Sequence, residues 1–176
     1  SAPSSFSVLF INEAELLADQ TLTYSGYYRK QDVDRSRGSY LSSETTWAGS
    51  FLYKKKYETA TVGFFANIAL VSNAFGVRDI NEGYYTGAGY VSIDNFIVSL
   101  VYNLYSMNGA KNIGGTGLNV ADSRISQSQI SFGYRINDSY KIDIAYRQLT
   151  DEKTSSVMQG VGLGVRYNIG TTALEN

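Results

Sequence analysis

Residues 129–169 read QISFGYRINDSYKIDIAYRQLTDEKTSSVMQGVGLGVRYNI. Ile130, Phe132, Tyr134 and Ile136 alternate with Ser131, Gly133 and Arg135. After Asn137-Asp138-Ser139, the residues Tyr140, Ile142, Ile144 and Tyr146 alternate with Lys141, Asp143, Ala145 and Arg147. A last run sets Val157, Val161, Leu163, Val165, Tyr167 and Ile169 against Gly160, Gly162, Gly164 and Arg166. A period of two over such lengths specifies strands. One face is apolar and aromatic; the other is small or charged. That division suits a barrel with lipid outside it.

The chain has 176 residues, enough for one domain, and 43% of them are hydrophobic. No run approaches the 18 or so apolar residues of a membrane-crossing helix. A barrel strand needs only about ten alternating residues, so that criterion does not apply to it. The net charge of −1 gives no electrostatic reason to expect nucleic acid as a partner. There is no cysteine and no histidine. The chain thus lacks a thiolate nucleophile, the usual neutral-pH general base and the commonest transition-metal ligand. No enzymatic role, metal or cofactor is expected. Ser1-Ala2-Pro3-Ser4-Ser5 reads as the start of a mature chain or a boundary between segments.

Residues 1–19 read as an N-terminal arm: a strand-like piece through Phe6–Ile11, then a helical turn through Asn12–Asp19, where Ala, Glu and Leu favour helix. From residue 20 to residue 169 the chain reads as eight strands, near 20–31, 42–55, 58–72, 84–93, 96–108, 123–136, 140–150 and 157–169. Residues 170–176 form a C-terminal tail. Short turns alternate with longer polar connections at 32–41, 73–83, 109–122 and 151–156. This is the rhythm of an all-β, antiparallel, up-and-down barrel. Short turns also predict register. Lys56-Tyr57 as a two-residue turn puts Tyr53 opposite Ala60 and Lys54 opposite Thr59. Asp94-Asn95 puts Ile93 opposite Phe96 and Val91 opposite Val98. Asn137–Ser139 puts Tyr134 opposite Ile142 and Arg135 opposite Lys141. Each register keeps like faces together.

Glycine, serine, alanine and threonine dominate the polar face, as the narrow interior of a small barrel requires. Tyrosines and phenylalanines near strand ends, among them Tyr27, Tyr28, Tyr53, Tyr57, Tyr84, Tyr85, Phe96, Tyr105, Tyr134, Tyr140, Tyr146 and Tyr167, fit interfacial girdles. Together with the closing GVGLGVRYNI, these features resemble the small eight-stranded outer-membrane barrels of Gram-negative bacteria, the OmpA, OmpX and OmpW group. The resemblance is architectural and covers residues 20–169. It implies a transmembrane β-barrel in the bacterial outer membrane, with lipid as its partner. The longer loops would face outward and the short turns the periplasm. Such proteins usually end on an aromatic residue, whereas here Ile169 is followed by Gly170–Asn176. The enzymes of that barrel class use a catalytic histidine, so the resemblance carries no activity over.

The candidate site is a charge network on the polar, lumen-facing wall: Arg135, Lys141, Asp143, Arg147 and Arg166, with Lys54 on an earlier strand. Two roles follow from it. The network packs the lumen and fixes register, or it lines a small or gated channel with a weak anion preference. Loops 32–41, 73–83 and 109–122 are the places for small solutes or extracellular ligands. Asp32-Val33-Asp34-Arg35-Ser36-Arg37-Gly38 has alternating acids, but its glycine is late for a calcium loop and no bidentate Glu follows. Gly114-Gly115-Thr116-Gly117 lacks the Lys-Ser/Thr of a phosphate loop. The expected role is a channel or an anchor displaying loops. The alternatives are a soluble lipocalin-like barrel around a small hydrophobic ligand, and the barrel domain of a larger porin or assembly.

Overall fold

The alternation becomes nine strands in the computed structural model, which describes residues 4–167. They are β1 (Ser5–Leu17), β2 (Gln20–Gln31), β3 (Glu44–Lys56), β4 (Ala60–Ser72), β5 (Asn81–Ile93), β6 (Phe96–Asn108), β7 (Ser123–Arg135), β8 (Tyr140–Asp151) and β9 (Ser156–Tyr167). All lie in one sheet, each strand antiparallel to the one before it, in the order β1 to β9. The all-β, up-and-down reading holds. Among the described residues β1 and β9 each pair on one side only, and the sheet is not closed. Ile169 and the tail 170–176 lie outside the described residues.

Three expectations need correction. The N-terminal arm is a full strand, because Phe6, Val8 and Phe10 stack along Lys30, Tyr28 and Gly26 of β2. Pairing overrides the helix preference of Asn12–Asp19. The strand count is therefore nine rather than eight. The β3–β4 register is also different: Tyr53 faces Phe64 and Lys54 faces Gly63. The turn is longer than two residues, with the Tyr57 amide donating to the Ala60 carbonyl at 2.7 Å. The other two registers are as expected, with Ile93 opposite Phe96 and Arg135 opposite Lys141. The β8–β9 connection at 152–155 is a tight turn rather than a long loop, with Ser155 at φ 56°.

The two faces of the sheet differ sharply. One carries Phe10, Tyr24, Trp47, Phe51, Phe64, Ile68, Leu100, Phe132, Ile144 and Leu163, and none of the described residues covers it. Trp47 is 59% exposed, Phe64 53% and Leu163 80%. Among the described residues the buried hydrophobic ones are Ala74, Ile80 and Ile113, none of them in a strand. The accessible surface is 12239 Å². A compact monomer of 19.4 kDa would show about 8,500 Å².

The apolar residues form a band that runs obliquely to the strands. Following the register from Val8 leads through Tyr28, Trp47, Leu70, Gly83 and Ser106 to Arg124 on β7. The middle of the apolar run on β7 is Phe132, about eight residues further along, after six strand-to-strand steps. With a rise of about 3.3 Å per residue and strands about 4.8 Å apart, the strands tilt roughly 40° from the normal to the band. On β4 the run Ala60–Leu70 then makes the band about 25 Å tall. Aromatic residues mark both borders. Tyr28 packs on Trp47 at the loop-side border, with ring centroids 4.4 Å apart. Phe96 packs on Tyr134 at 4.9 Å and Tyr140 on Tyr167 at 4.8 Å at the turn-side border.

The three longer connections pack together at one end of the sheet. Ala74, Ile80 and Ile113 form their core, with Tyr40, Val71, Val77, Met107, Ala110 and Val120 against it. Backbone bonds tie them, as from the Ser42 amide to the Gly76 carbonyl at 2.9 Å and the Arg78 amide to the Tyr40 carbonyl at 2.8 Å. Ile80→Ala removes the 3%-exposed side chain at the centre of this cap. It should cost about 2–4 kcal/mol locally. The expected result is faster proteolysis within 32–43, 73–80 and 109–122 with the strands still protected; equal loop cleavage in variant and parent would contradict it.

Candidate functional site

Strand alternation puts Arg135, Lys141, Asp143, Arg147 and Arg166 on the polar face, opposite to the apolar band. Arg135, Lys141 and Arg166 are direct cross-strand neighbours. Like charges so placed repel unless an anion intervenes. Asp143, two residues along β8, stands between Gly133 and Gly164. Those glycines make room: a methyl group on Gly164 would strike the Asp143 carboxylate, and one on Gly133 would strike the Lys141 stem.

Asp143 Oδ2 lies 3.3 Å from Arg166 Nε, with the two side chains 22% and 73% exposed. That oxygen is buried and accepts no hydrogen bond among the described residues. The contact is an ion pair without hydrogen-bond alignment. Arg147 does not join it. Its Nε and Nη2 donate to the Gln129 side-chain oxygen at 3.1 and 3.0 Å. Lys54 stands apart on β3, opposite Gly63 and four strands from β7. The expected network thus separates into a β7–β9 cluster, an Arg147–Gln129 pair and a distant Lys54. Arg135, Lys141, Arg166 and the 137–140 turn line a cleft of about 150 Å³ at the short-turn end.

Hydrogen bonds between strands continue this wall. Ser25 and Ser50 are 2.6 Å apart, Ser99 meets Ser131, and Thr86 donates to Asn103 at 2.8 Å. Under the loop cap, Glu82 is buried and accepts from the Tyr84 hydroxyl. Alternation alone marks Glu82 as inward-facing; only the folded loops show it to be covered.

Asp32 and Asp34 act as loop clamps. Asp32 accepts from Ser4 and Ser43 hydroxyls, each at 2.8 Å, and so ties the start of β1 to the β2–β3 loop. Asp34 accepts from the Ser36 amide at 3.0 Å. Among the described residues no group of three or more Asp, Glu, His or Cys is placed to hold a metal ion. No helix of the described residues is long and apolar enough to cross a membrane. No protein-family model, curated protein or solved structure matches the chain.

The hydrogen bonds from Ser4 and then Ser43, with help from the Lys30 and Arg35 charges, hold the Asp32 carboxyl below its ordinary value of 3.8, against a smaller opposing effect of burial. A lowered carboxyl favours the folded loop above 3.8, and the contribution disappears as pH falls through the lower folded-state value. In Ser43→Ala the Asp32 midpoint, followed by NMR, should rise towards 3.8. An unchanged midpoint would show that the clamp does not form.

Proposed function

We propose that this chain is the membrane-spanning β-wall of a bacterial outer-membrane barrel, with no enzymatic role, which anchors and displays the loop cap. The observation that carries the proposal is the oblique apolar band. A sheet in water hides its apolar face under helices or a second sheet. Here that face is bare, about 25 Å tall and bordered by aromatic pairs, and the strands tilt by roughly 40°. Those are the dimensions of barrel strands in a bilayer, where tilts of about 35–45° are usual. A lipocalin-like reading would need the apolar face to be concave around a cavity. A groove of about 680 Å³ on that face lies open over Gly87 and Gly89.

The cap favours display over free conduction, because it packs side chains across the loop end of the wall. A gated channel is the second reading, favoured by the excess of cations around Asp143. Planar-bilayer recordings separate the two. Under the display role, the parent chain, Arg135→Ala and Asp143→Ala give no steady conductance. A reproducible conductance that these substitutions alter would establish the channel.

Phe64, in mid-band and 53% exposed, tests the membrane reading itself. On a wetted surface Phe64→Arg should change stability by about 0.5 kcal/mol or less. Facing lipid, it should cost about 2–4 kcal/mol in urea unfolding from vesicles, while Ser72→Arg beyond the band costs less than about 1 kcal/mol. Equal, small effects at both positions would refute the lipid-facing assignment. So would a parent chain that stays monodisperse without detergent.

A further inference from the structure

We infer that the two free edges of the sheet are partners, and that β1 and β9 of the same chain join in a parallel seam that completes a nine-stranded wall; the inference rests on the membrane reading above. Each edge presents a long row of unpaired backbone donors and acceptors, β1 over Ser5–Leu17 and β9 over Ser156–Tyr167. In water such a row finds solvent. In hydrocarbon it must be paired, at several kcal/mol per group otherwise. Parity fixes the direction. With nine up-and-down strands, β1 and β9 point the same way, so their junction is parallel.

The apolar band fixes the level. Its middle is Val8 on β1 and lies between Leu163 and Val165 on β9, so the band is continuous across the seam only if Val8 sits at that height. Like faces must also meet, since a one-residue slip would turn β1 over. These conditions leave Leu163 and Val165 as the neighbours of Val8. The side chains then complement each other. On the polar face Ser5 and Ser7 come beside the Gly160–Gly164 segment, and Leu9, 61% exposed, beside Gly164 and Arg166. Gly160 and Gly162 have nothing within 4 Å of where a methyl would stand. Glu13 and Glu15, both exposed, arrive at the short-turn end, where Arg135, Lys141 and Arg166 line a cleft with Asp138 and where Asp143 pairs with Arg166. With Val8 beside Leu163, Glu13 falls one diagonal step from Arg166 and adds a carboxylate to that row.

The test uses the absence of cysteine from the chain. Val8→Cys is combined in turn with Leu163→Cys, Val165→Cys and, as a control six residues or more away, Val157→Cys. The full chain is oxidised with copper phenanthroline in carbonate-washed membranes. Adjacent strands lie within disulfide reach. The expected product is a bond within one chain, for Leu163 or Val165 and not for Val157, seen as a reducible mobility shift of the monomer. A dimer-sized product would overturn the inference in favour of two copies sharing seams. No bond in either pair would overturn it in favour of strands from elsewhere. If a variant fails to reach the membrane, Phe10→Cys with Val165→Cys or Tyr167→Cys reads the same level. A parent chain missing from washed membranes defeats the membrane reading, whereas an inserted chain without the bond defeats the seam alone.

Discussion

Everything in this structure depends on the pairing of one strand with the next, because no other element packs on the apolar side among the described residues. Backbone hydrogen bonds run through eight antiparallel junctions, with one register irregularity in β1 between Glu15 and Leu17. The apolar side chains that would drive a water-soluble sheet to fold against a second layer have no layer to meet. In lipid this arrangement suits the strands between the two edges, where the backbone is satisfied within the sheet and the side chains are dissolved in hydrocarbon. The tilt follows from the same constraint. The strands keep their hydrogen-bond register, the band keeps its level, and both conditions hold together only if the strands slope by roughly 40°.

The polar face obeys a different rule. Its groups must be satisfied by one another or by water, and they are satisfied locally: serine with serine, threonine with asparagine, Arg147 with Gln129. Asp143 is the exception, a carboxylate beside Arg166 with one oxygen unbonded among the described residues. The imbalance sits beside a free sheet edge, and the opposite edge carries glutamates. The loop cap adds a region where, among the described residues, apolar burial operates as it does in a soluble protein. It joins rigid strands to a surface built from three connections.

Much of this was legible in the sequence, for reasons that also explain what was not. Period-two alternation fixes faces, and Asp94-Asn95 and Asn137–Ser139 fix two hairpins, because a short turn leaves one register open. The Lys56-Tyr57 turn failed for an instructive reason. Tyr53 opposite Ala60 and Tyr53 opposite Phe64 both keep like faces together, so alternation cannot choose between registers that differ by an even number. β1 was hidden by Glu13, Ala14, Glu15, Leu16 and Leu17, whose intrinsic preference is helical. The five charged residues of β7–β9 were placed on one wall by alternation, but the choice of partners depends on side-chain reach, and Lys54 shares their face without sharing their neighbourhood. The Asp32–Ser4–Ser43 clamp joins residues 28 and 11 positions apart, which no local pattern encodes.

The central claim is that the apolar face meets lipid, and Trp47 is the natural reporter. It is the chain's single tryptophan and stands at the loop-side border of the band, packed on Tyr28. The direct measurement is its fluorescence in vesicles containing lipids brominated at different depths along the acyl chain. The account predicts strong quenching by shallow bromines, weaker quenching by bromines at the bilayer centre, and protection from aqueous iodide. Free quenching by iodide with no response to any brominated lipid would contradict it.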